Sequence, residues 1–335
     1  MTNIYYSLNS LKKILKEENP SKIVLITSNN LKNKLQWAIK KIHNLSSRKV
    51  ELIFIPDGEK AKNWNEAEKL LNKLFDHNLD RKSMIIALGG GAVSDIVGFA
   101  SSIYLRGIKY INIPTTLLSQ VDSAYGGKTA INFKNYKNQV GTFYNPHSVI
   151  VESNFLKTLK DEQIIDGLGE IIKYGFIRDG AILNLLKNKK LENIKNNNQL
   201  IESLIKKSIK IKQDYISKDF KDKNIRQMLN FGHTIGHALE LKYKISHGRA
   251  VLYGMLKELE IGEKIGITKI NLRNTLLELL GNLDIKLKNL KPDWNVILRD
   301  KKIVGDQIVL PVVKSEGISK LSKLKLSKLK ILIKS

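Results

Sequence analysis

Three of the chain's six histidines, His233, His237 and His247, lie in one short stretch, Asn230-Phe-Gly-His-Thr-Ile-Gly-His-Ala-Leu-Glu240 followed by Ser246-His247-Gly248. There is no cysteine, so a transition-metal site must use imidazole and carboxylate. That donor set suits Zn²⁺ or a similar divalent ion that keeps a position open for substrate. His43, His77 and His147 are scattered. At helical spacing Arg226, Asn230, His233 and His237 fall at i, i+4, i+7 and i+11, on one stripe. A core-facing stripe would be apolar, and a solvated one would mix Lys with Glu. A guanidinium, an amide and two imidazoles fit neither pattern, so a site is expected. Spacing leaves two arrangements open. His233 and His237 pair as i,i+4 ligands, or one of them pairs with His247 and the other serves acid–base chemistry or a phosphate contact.

Other segments offer complementary chemistry. Glu170 and Lys173 share a helical face at i,i+3, in a segment crowded by Gly167, Gly169 and Gly175, which points to close packing or a site. A glycine turn, Gly126-Gly127, delivers Lys128, and Lys137-Asn138 follows; together they suit an anionic, oxygen-rich ligand. Gly89, Gly90 and Gly91 stand between an apolar run and a helical pattern. That is a phosphate-cradle arrangement, in which backbone approaches a pyrophosphate at a helix N-terminus. It is not the G-x-G-x-x-G fingerprint. Asp57 and Glu59 follow an earlier apolar run, where an acid accepts from a ribose diol and favours NAD over NADP. Thr115 and Thr116 add two hydroxyls at the end of another.

The elements that position these groups alternate. Strands are expected over 22–27, 50–55, 83–88 and 109–113, with helices over 31–44, 65–77 and 92–104 between them. This order predicts a Rossmann-like parallel sheet covered by helices, with ligands at the C-terminal strand ends. Further on, helical periodicity dominates. The expected division is an α/β N-terminal domain over 1–158 and a mostly α-helical C-terminal domain over 159–335 that carries the metal site.

Length and composition, 335 residues with 42% hydrophobic and 27% charged, suit two domains with sizeable cores. No apolar run approaches the roughly 20 residues that cross a bilayer. Met1-Thr-Asn-Ile-Tyr-Tyr-Ser shows no charged region followed by an apolar core, so no secretion signal and a cytoplasmic protein are expected. The formal charge of +25 raises nucleic-acid binding, but the basic residues run along the whole chain, as in a Lys-, Asn- and Ile-rich composition spread over solvated faces. Neither nucleic acid nor membrane is expected as a partner. The Lys/Leu pattern over 319–330 predicts a basic amphipathic helix docked by its Leu side.

Taken together the motifs resemble the 3-dehydroquinate synthase family over nearly the whole chain. The matching stretches are Asp57-Gly-Glu59-Lys-Ala-Lys62, Gly89-Gly-Gly-Ala-Val-Ser-Asp95, Tyr104-Leu-Arg106-Gly, Pro114-Thr-Thr-Leu-Leu-Ser-Gln-Val-Asp122, Gly126-Gly-Lys128-Thr and Lys137-Asn138. They continue through Glu170-Ile-Ile-Lys173, the segment from Arg226 to Glu240, His247-Gly, and Asp300-Lys-Lys302. The resemblance implies a homodimer and an active site in the cleft between an NAD-binding domain and a helical, dehydroquinate synthase-like metal-binding domain. It implies Glu170, His233 and His247 as ligands of Zn²⁺ or Co²⁺, and frees His237 for the substrate. Lys128, Lys173, His237, Asn138 and Asp122 would do the chemistry. Arg106, Lys212, Arg226, Asn230 and a lysine of the Lys301-Lys302 pair would hold the substrate, with Arg106 reaching that of the neighbouring subunit. Asp57, Glu59, Lys62, Gly89, Gly90, Gly91, Asp95, Thr115, Thr116, Lys137, Phe155 and Thr158 would hold NAD. The implied reaction turns a sugar phosphate, 3-deoxy-D-arabino-heptulosonate 7-phosphate, into 3-dehydroquinate and phosphate. Transient oxidation by NAD, elimination, re-reduction, ring opening and aldol closure follow one another, and NAD is regenerated.

The chain departs from the family pattern in places. Ser94 stands where Gly is usual, Tyr125 replaces a small aliphatic residue, Ala130 and Tyr136 replace Gly, and Gly169 replaces Ala. Asp222 stands for Glu, and Arg249 replaces the acid of a His-Gly-Glu-Ala pattern. These leave room for a related sugar-phosphate cyclase that makes a cyclitol; a metal-dependent polyol dehydrogenase with the same two-domain plan is a second alternative, which would release NADH and would not need Lys128, Lys137-Asn138 and Arg106 together. The presence of Lys212, Arg226 and Asn230 together favours a carboxylated substrate.

Overall fold

The computed structural model describes residues 2–134, 136–286, 288, 290–298 and 303–334, and the chain folds into two compact units, Met1–Leu159 and Lys160–Ser335. Unit 1 runs β1 (Asn3–Tyr5), α1 (Ser10–Glu18), β2 (Ile23–Ser28), α2 (Leu31–Lys34), α3 (Gln36–Leu45), β3 (Val50–Ile55), α4 (Trp64–Asp76), β4 (Met84–Gly89) and α5 (Gly91–Ile103). It continues with β5 (Tyr110–Pro114), β6 (Lys128–Phe133), β7 (Tyr136–Phe143) and β8 (Ser148–Ile150). Unit 2 begins with α6 (Asp161–Ile177), α7 (Ala181–Leu186), α8 (Leu191–Asn196), α9 (Asn198–Lys218), α10 (His233–Tyr243) and α11 (His247–Lys264). It ends with α12 (Leu272–Asn282), α13 (Trp294–Ile297), β9 (Ile303–Val304), β10 (Gln307–Ser315), β11 (Ile318–Lys325) and α14 (Leu326–Lys334).

In unit 1 six strands form a wholly parallel sheet in the order β1-β8-β5-β4-β2-β3. The alternation of side chains along each strand explains why β2 and β4 are apolar at nearly every position. Val24, Ile26, Ile85 and Ala87 point into one core, which α4 and α5 cover with Leu70, Leu74, Ile96 and Val97. Ile23, Leu25, Ile86 and Leu88 point into the other, closed by Leu11 and Ile14 of α1 and Ile39 and Ile42 of α3. From β4 the chain turns one way to β5, having placed β2 and β3 on the other side. That is a topological switch point, where open α/β sheets bind ligands beyond the strand C-termini. The antiparallel hairpin β6–β7 packs on α5: a Cβ at Gly98 would lie 2.5 Å from Thr129 Cγ2.

Unit 2 is mostly helical, and β10 and β11 add an antiparallel hairpin. This hairpin corrects the expectation for the C-terminus. Of residues 319–330, the first part is the strand β11 and only the end is helix. The buried edge of β10, with Ile308, Leu310 and Val312, requires a ladder partner, and Gly317 supplies the turn with φ of +75°. Leu324 of β11 and Leu329 of α14 then enter one core cluster with Ile235, Leu239 and Ile261. The second correction concerns the histidine stripe. Residues 225–230 form a 3₁₀ turn, and Gly232 at φ +79° breaks the chain before α10 begins at His233. Arg226 and Asn230 therefore do not continue the helix that carries His233 and His237. No helix among the described residues is long and apolar enough to cross a membrane.

The docking of α14 has a measurable consequence. Leu329 is fully buried and Lys328 is exposed. Leu329→Ala should destabilise the protein by about 2–4 kcal/mol, and Lys328→Ala by less than about 0.5 kcal/mol, read as shifts in the urea midpoint. Equal shifts would mean that the helix is not docked.

Candidate active site

The nucleotide side of unit 1 is built at the end of β4. Gly90 precedes α5 in extended conformation, and Thr115 donates its backbone N–H to Gly89 O at 3.0 Å. Side chains hem in the glycine turn: a Cβ on Gly90 would lie 3.1 Å from Thr116 Cγ2, and one on Gly91 3.1 Å from Ser123 Oγ. The backbone here is left bare, as a pyrophosphate cradle requires. Ser94, in the place of the usual glycine, donates its hydroxyl to Asn112 Oδ1 of β5 at 2.9 Å, so the two buried side chains satisfy each other.

One buried lysine ties several predicted residues together. Lys62 is 4% exposed, and its Nζ donates to Asp95 Oδ2 and to Asn138 Oδ1, both at 2.6 Å. Glu59 lies 3.9 Å from the same Nζ, and its carboxylate also accepts from Asn132 Nδ2 at 2.7 Å. Asn132 Oδ1 in turn accepts the backbone N–H of Asn138, which sits at φ +56°. Asp57, beyond β3, accepts the backbone N–H of Asn30 at 2.9 Å. Lys128 opens β6 after Gly126 and Gly127, both at positive φ, and is exposed, as is Lys137 in β7. Asp122 lies in a five-residue π-helical turn, Ser119–Ser123. Arg106 is exposed in a left-handed turn, with φ of 50° at Leu105, 64° at Arg106 and 119° at Gly107. Thr158 donates to Phe155 O at 2.9 Å, and the ring of Phe155 is fully buried against Trp37. Tyr125 is buried too, and its hydroxyl has no hydrogen-bond partner among the described residues.

The metal candidates meet in unit 2. Glu170 is fully buried in α6, and its Oε2 accepts from Lys173 Nζ, which is itself 1% exposed. Its Oε1 faces His233 Nε2 at 3.3 Å and His247 Nε2 at 3.2 Å. Two donors bound at about 2.0–2.1 Å to one tetrahedral ion lie about 3.3–3.4 Å apart, so Glu170, His233 and His247 are spaced to share one divalent ion. Each imidazole has its other nitrogen occupied: His233 Nδ1 lies 3.1 Å from Phe231 O, and His247 Nδ1 lies 3.4 Å from Glu240 Oε2. His237 stands beside them on the exposed edge of α10, its ring centroid 5.3 Å from that of His233. A second grouping, His237, Glu240 and His247, is also close enough to hold an ion.

Charge is distributed unevenly over this cluster. Burial opposes the ionisation of Glu170, but Lys173 and the two imidazoles outweigh it and hold the carboxyl well below its usual range. Burial also disfavours the imidazolium of both histidines. In His233 it prevails and lowers the pKa. In His247 hydrogen bonds to Glu170 and Glu240 overcome it, and the pKa rises to about 10. The opposite directions follow from one carboxylate oxygen serving two rings: the proton stays on the ring with a carboxylate at each nitrogen.

The remaining substrate candidates lie nearby in sequence. Lys212 is buried on α9. Buried Arg226 donates its backbone N–H to Asp219 Oδ2 at 3.1 Å and its Nη1 to Phe220 O at 2.5 Å. Asn230 closes the 3₁₀ turn. Lys301 and Lys302 lie outside the described residues.

Five supporting acids have no clear signature in the sequence taken alone. Asp219 also caps the backbone N–H groups of Lys223 and Asn224, shaping the loop that carries Arg226. Glu258 accepts the N–H of Gly232 at 2.8 Å, where a Cβ would strike Val251 O at 2.6 Å, and so sets the entry to His233. Glu240 faces His247. Glu162 and Asp166 hold the start of α11 on α6: Arg249 forks onto Glu162 at 2.7 and 3.0 Å, Ser246 Oγ donates to Glu162 at 2.7 Å, and Gly248 N donates to Asp166 at 2.8 Å. For the last two a faint signal exists. Glu162, Asp166 and Glu170 recur at i, i+4 and i+8, an acidic stripe on one helical face. Arg249 is therefore the counter-charge of Glu162, and Gly169 leaves room for Gly248, whose Cα would be 2.9 Å from a Cβ at 169.

Unit 1 thus sets a glycine turn at the switch point of a parallel sheet, and unit 2 gathers a Glu/His/His cluster from its helices. In fold the chain is similar to 2-deoxy-scyllo-inosose synthase, solved with carbaglucose-6-phosphate, NAD+ and Co2+ (TM-score 0.86, 22% identity, 99% of this chain and 95% of that one). It is similarly close to the 2-epi-5-epi-valiolone synthase ValA of Streptomyces hygroscopicus subsp. jinggangensis 5008, solved with NAD+ and Zn2+ (TM-score 0.86, 19% identity, 99% and 96%). In sequence, residues 52–166 match the family model described as 3-dehydroquinate synthase N-terminal, and residues 167–303 the one described as 3-dehydroquinate synthase C-terminal. The 3-dehydroquinate synthase of Clostridium kluyveri is 41% identical over 330 residues, covering 95% of this chain and 90% of that protein. The chain belongs to the 3-dehydroquinate synthase family.

Two measurements test the geometry. Arg249→Glu places a carboxylate against Glu162 and should weaken Zn²⁺ binding about three- to tenfold in chelator competition, with recovery on adding Glu162→Arg. No recovery would separate the pair from the metal ligands. Burial disfavours the imidazolium of His247, but hydrogen bonds to two carboxylates raise its pKa to about 10, so an ion bound at Nε2 would displace a proton. Zn²⁺ binding at pH 7 should therefore release about one proton per ion, and apparent affinity should climb with pH up to about 10. Calorimetry in buffers of different ionisation enthalpy reads the release; none would refute the protonated His247.

Proposed function

We infer that the chain converts 3-deoxy-D-arabino-heptulosonate 7-phosphate to 3-dehydroquinate and phosphate, with tightly held NAD and one divalent ion at Glu170, His233 and His247. The observation that carries this reading is the convergence of Glu170 Oε1 with two imidazole Nε2 atoms beside a buried lysine, in a chain 41% identical to a 3-dehydroquinate synthase. When bound, the ion would polarise a carbinol oxygen and NAD would accept and return its hydride.

The chain's own groups supply positioning and proton transfer. Lys173, held on Glu170, presents a cation beside the site without freedom to wander. Arg226 is clamped by Asp219 and Phe220, which suits it to a fixed carboxylate; Lys212 and Asn230 complete that carboxylate set. Lys128, Asn138 and Asp122 would contact the substrate's oxygens from unit 1. The bonds from Lys62 to both Asp95 and Asn138 support a shared anchor for the nucleotide side and for the Asn138 amide that would contact the substrate. His237 is exposed beside His233, so it can take or give a proton at its ring nitrogen to the substrate while His233 and His247 stay on the metal. The exposed left-handed turn at Arg106 suits a homodimer in which this side chain reaches the neighbouring subunit's substrate.

Purified protein with catalytic NAD, Zn²⁺ or Co²⁺ and the heptulosonate phosphate should release phosphate with no net NADH. Stoichiometric NADH would sink the synthase reading in favour of a dehydrogenase, and no turnover would favour a cyclitol synthase. His247→Ala should abolish metal retention. His237→Ala should keep the metal and lose about 10²–10⁴ in kcat, the range of general acid–base catalysis. Equal metal loss in both would overturn the division between ligand and proton carrier.

A further inference from the structure

We propose that Glu240 is the positioning residue of His247: its carboxylate accepts the Nδ1 hydrogen and so fixes the tautomer and ring plane that turn Nε2 toward Glu170. The inference rests on the metal-site reading above and adds to it a residue that touches neither metal nor substrate.

The two histidines of the cluster are oriented by different means. His233 Nδ1 faces Phe231 O at 3.1 Å, a carbonyl two residues back on the same chain, delivered by the turn at Gly232. His247 opens a new helix, and nothing local serves it in that way. Its Nδ1 faces Glu240 Oε2 at 3.4 Å, from α10, and its Nε2 faces Glu170 Oε1 at 3.2 Å, from α6. The ring is thus spanned by two carboxylates on two different helices. Glu170 Oε1 also faces His233 Nε2 at 3.3 Å, so we assign the metal position to that side of the ring. Glu240 is left to hold the other nitrogen. A metal-bound imidazole commonly donates its remaining N–H to such a carboxylate, and loss of that partner typically weakens metal binding 10–100-fold.

The backbone supports the assignment. Glycines bring α10 and α11 close: a Cβ on Gly236 would lie 2.7 Å from Ala250 O, and one on Gly254 1.8 Å from Gly232 O. The same packing sets Glu240, three residues beyond His237 on α10, against the first residue of α11. His237, Glu240 and His247 are also close enough to hold an ion of their own. That arrangement would place a metal on Nδ1 instead of a proton, and it is the outcome that the experiment must exclude.

Co²⁺ affinity by chelator competition, Co²⁺ stoichiometry and the visible Co²⁺ spectrum should be measured for the whole chain and for Glu240→Ala, Glu240→Gln and His247→Ala. The expected result is one ion per site in the parent, with affinity 10–100-fold lower and an altered visible band in Glu240→Ala. Glu240→Gln, whose amide oxygen still accepts from Nδ1, should bind more tightly than Glu240→Ala and keep the parent band. Glu240→Ala within threefold of the parent overturns the proposal, as does Glu240→Gln no better than Glu240→Ala. A second ion in the parent that both Glu240 variants lose overturns it in favour of a second metal position. Failure of the underlying reading looks different: the parent would bind no ion that His247→Ala removes.

Discussion

The carboxylate of Glu170 is the constraint around which unit 2 is arranged. A charge with no solvent contact loses several kcal/mol of hydration even after the protein relaxes around it, and survives only if it is paired and hydrogen-bonded on all sides. Lys173 answers from one turn along the same helix, and two imidazoles answer from α10 and α11. Each answer fixes something else. Lys173 stays buried against Glu170, so removing that carboxylate would strand the lysine. The imidazoles can face one oxygen only if the starts of α10 and α11 are held beside α6, which turns a local electrostatic demand into a demand on backbone packing.

That packing follows from glycines and short acids. Along α6 one face carries Glu162, Asp166, Gly169 and Glu170 in sequence. The first grips Arg249 and Ser246, the second holds the Gly248 N–H, the third lets the α11 backbone in, and the fourth meets His247. The face reads as a ruler laid along the first turn of α11. It also gives the positive charge at position 249 a partner. Arg249 is not an isolated cation next to the metal candidates; it is bound in a two-pronged bond to a carboxylate from the helix that owns Glu170. On the other side, Gly232, Gly236 and Gly254 let α10 lie against α11, so the three histidines form one cluster from two helices.

Much of this is legible in the residues, and the illegible parts have identifiable causes. The central strands announce themselves because both faces of a parallel sheet are covered, leaving β2 and β4 almost continuously apolar. The hairpin β6–β7 does not, because most of β7 is solvent-exposed and shows no apolar alternation. β1 has three residues, too few for a period. The histidine stripe reads through Gly232 as a single helix. The break there depends on a bond to Glu258, twenty-six residues further on, and on the close approach of the Val251 carbonyl, which leaves no room for a Cβ; a local pattern contains neither. The Leu/Lys repeat of the C-terminus fits helix and strand alike, and β10 decides in favour of strand for its first part. The candidate ligand residues His233 and His247 stand out because histidines are scarce. The acids that orient them do not, since a lone Glu or Asp on a helix has the ordinary look of a solvated face.

Each unit buries a lysine against a carboxylate among the residues proposed for chemistry, and the parallel bears on how such a site works. Lys62 in unit 1 and Lys173 in unit 2 are both almost wholly enclosed, and each has a carboxylate within hydrogen-bonding reach, Asp95 and Glu170. An exposed lysine would lose rotamer entropy on every binding event, while a buried, paired one has lost it during folding. In the proposed function, the charges that a doubly anionic substrate and a nucleotide would meet are therefore already oriented before either arrives. Electrostatic stabilisation of a transition state is strongest when its dipoles and charges need not reorganise at the moment of reaction. Folding free energy supplies that order in advance. The chain accepts buried ions and glycine-thinned helices, both unfavourable for stability alone, where they hold cationic groups and imidazoles in place.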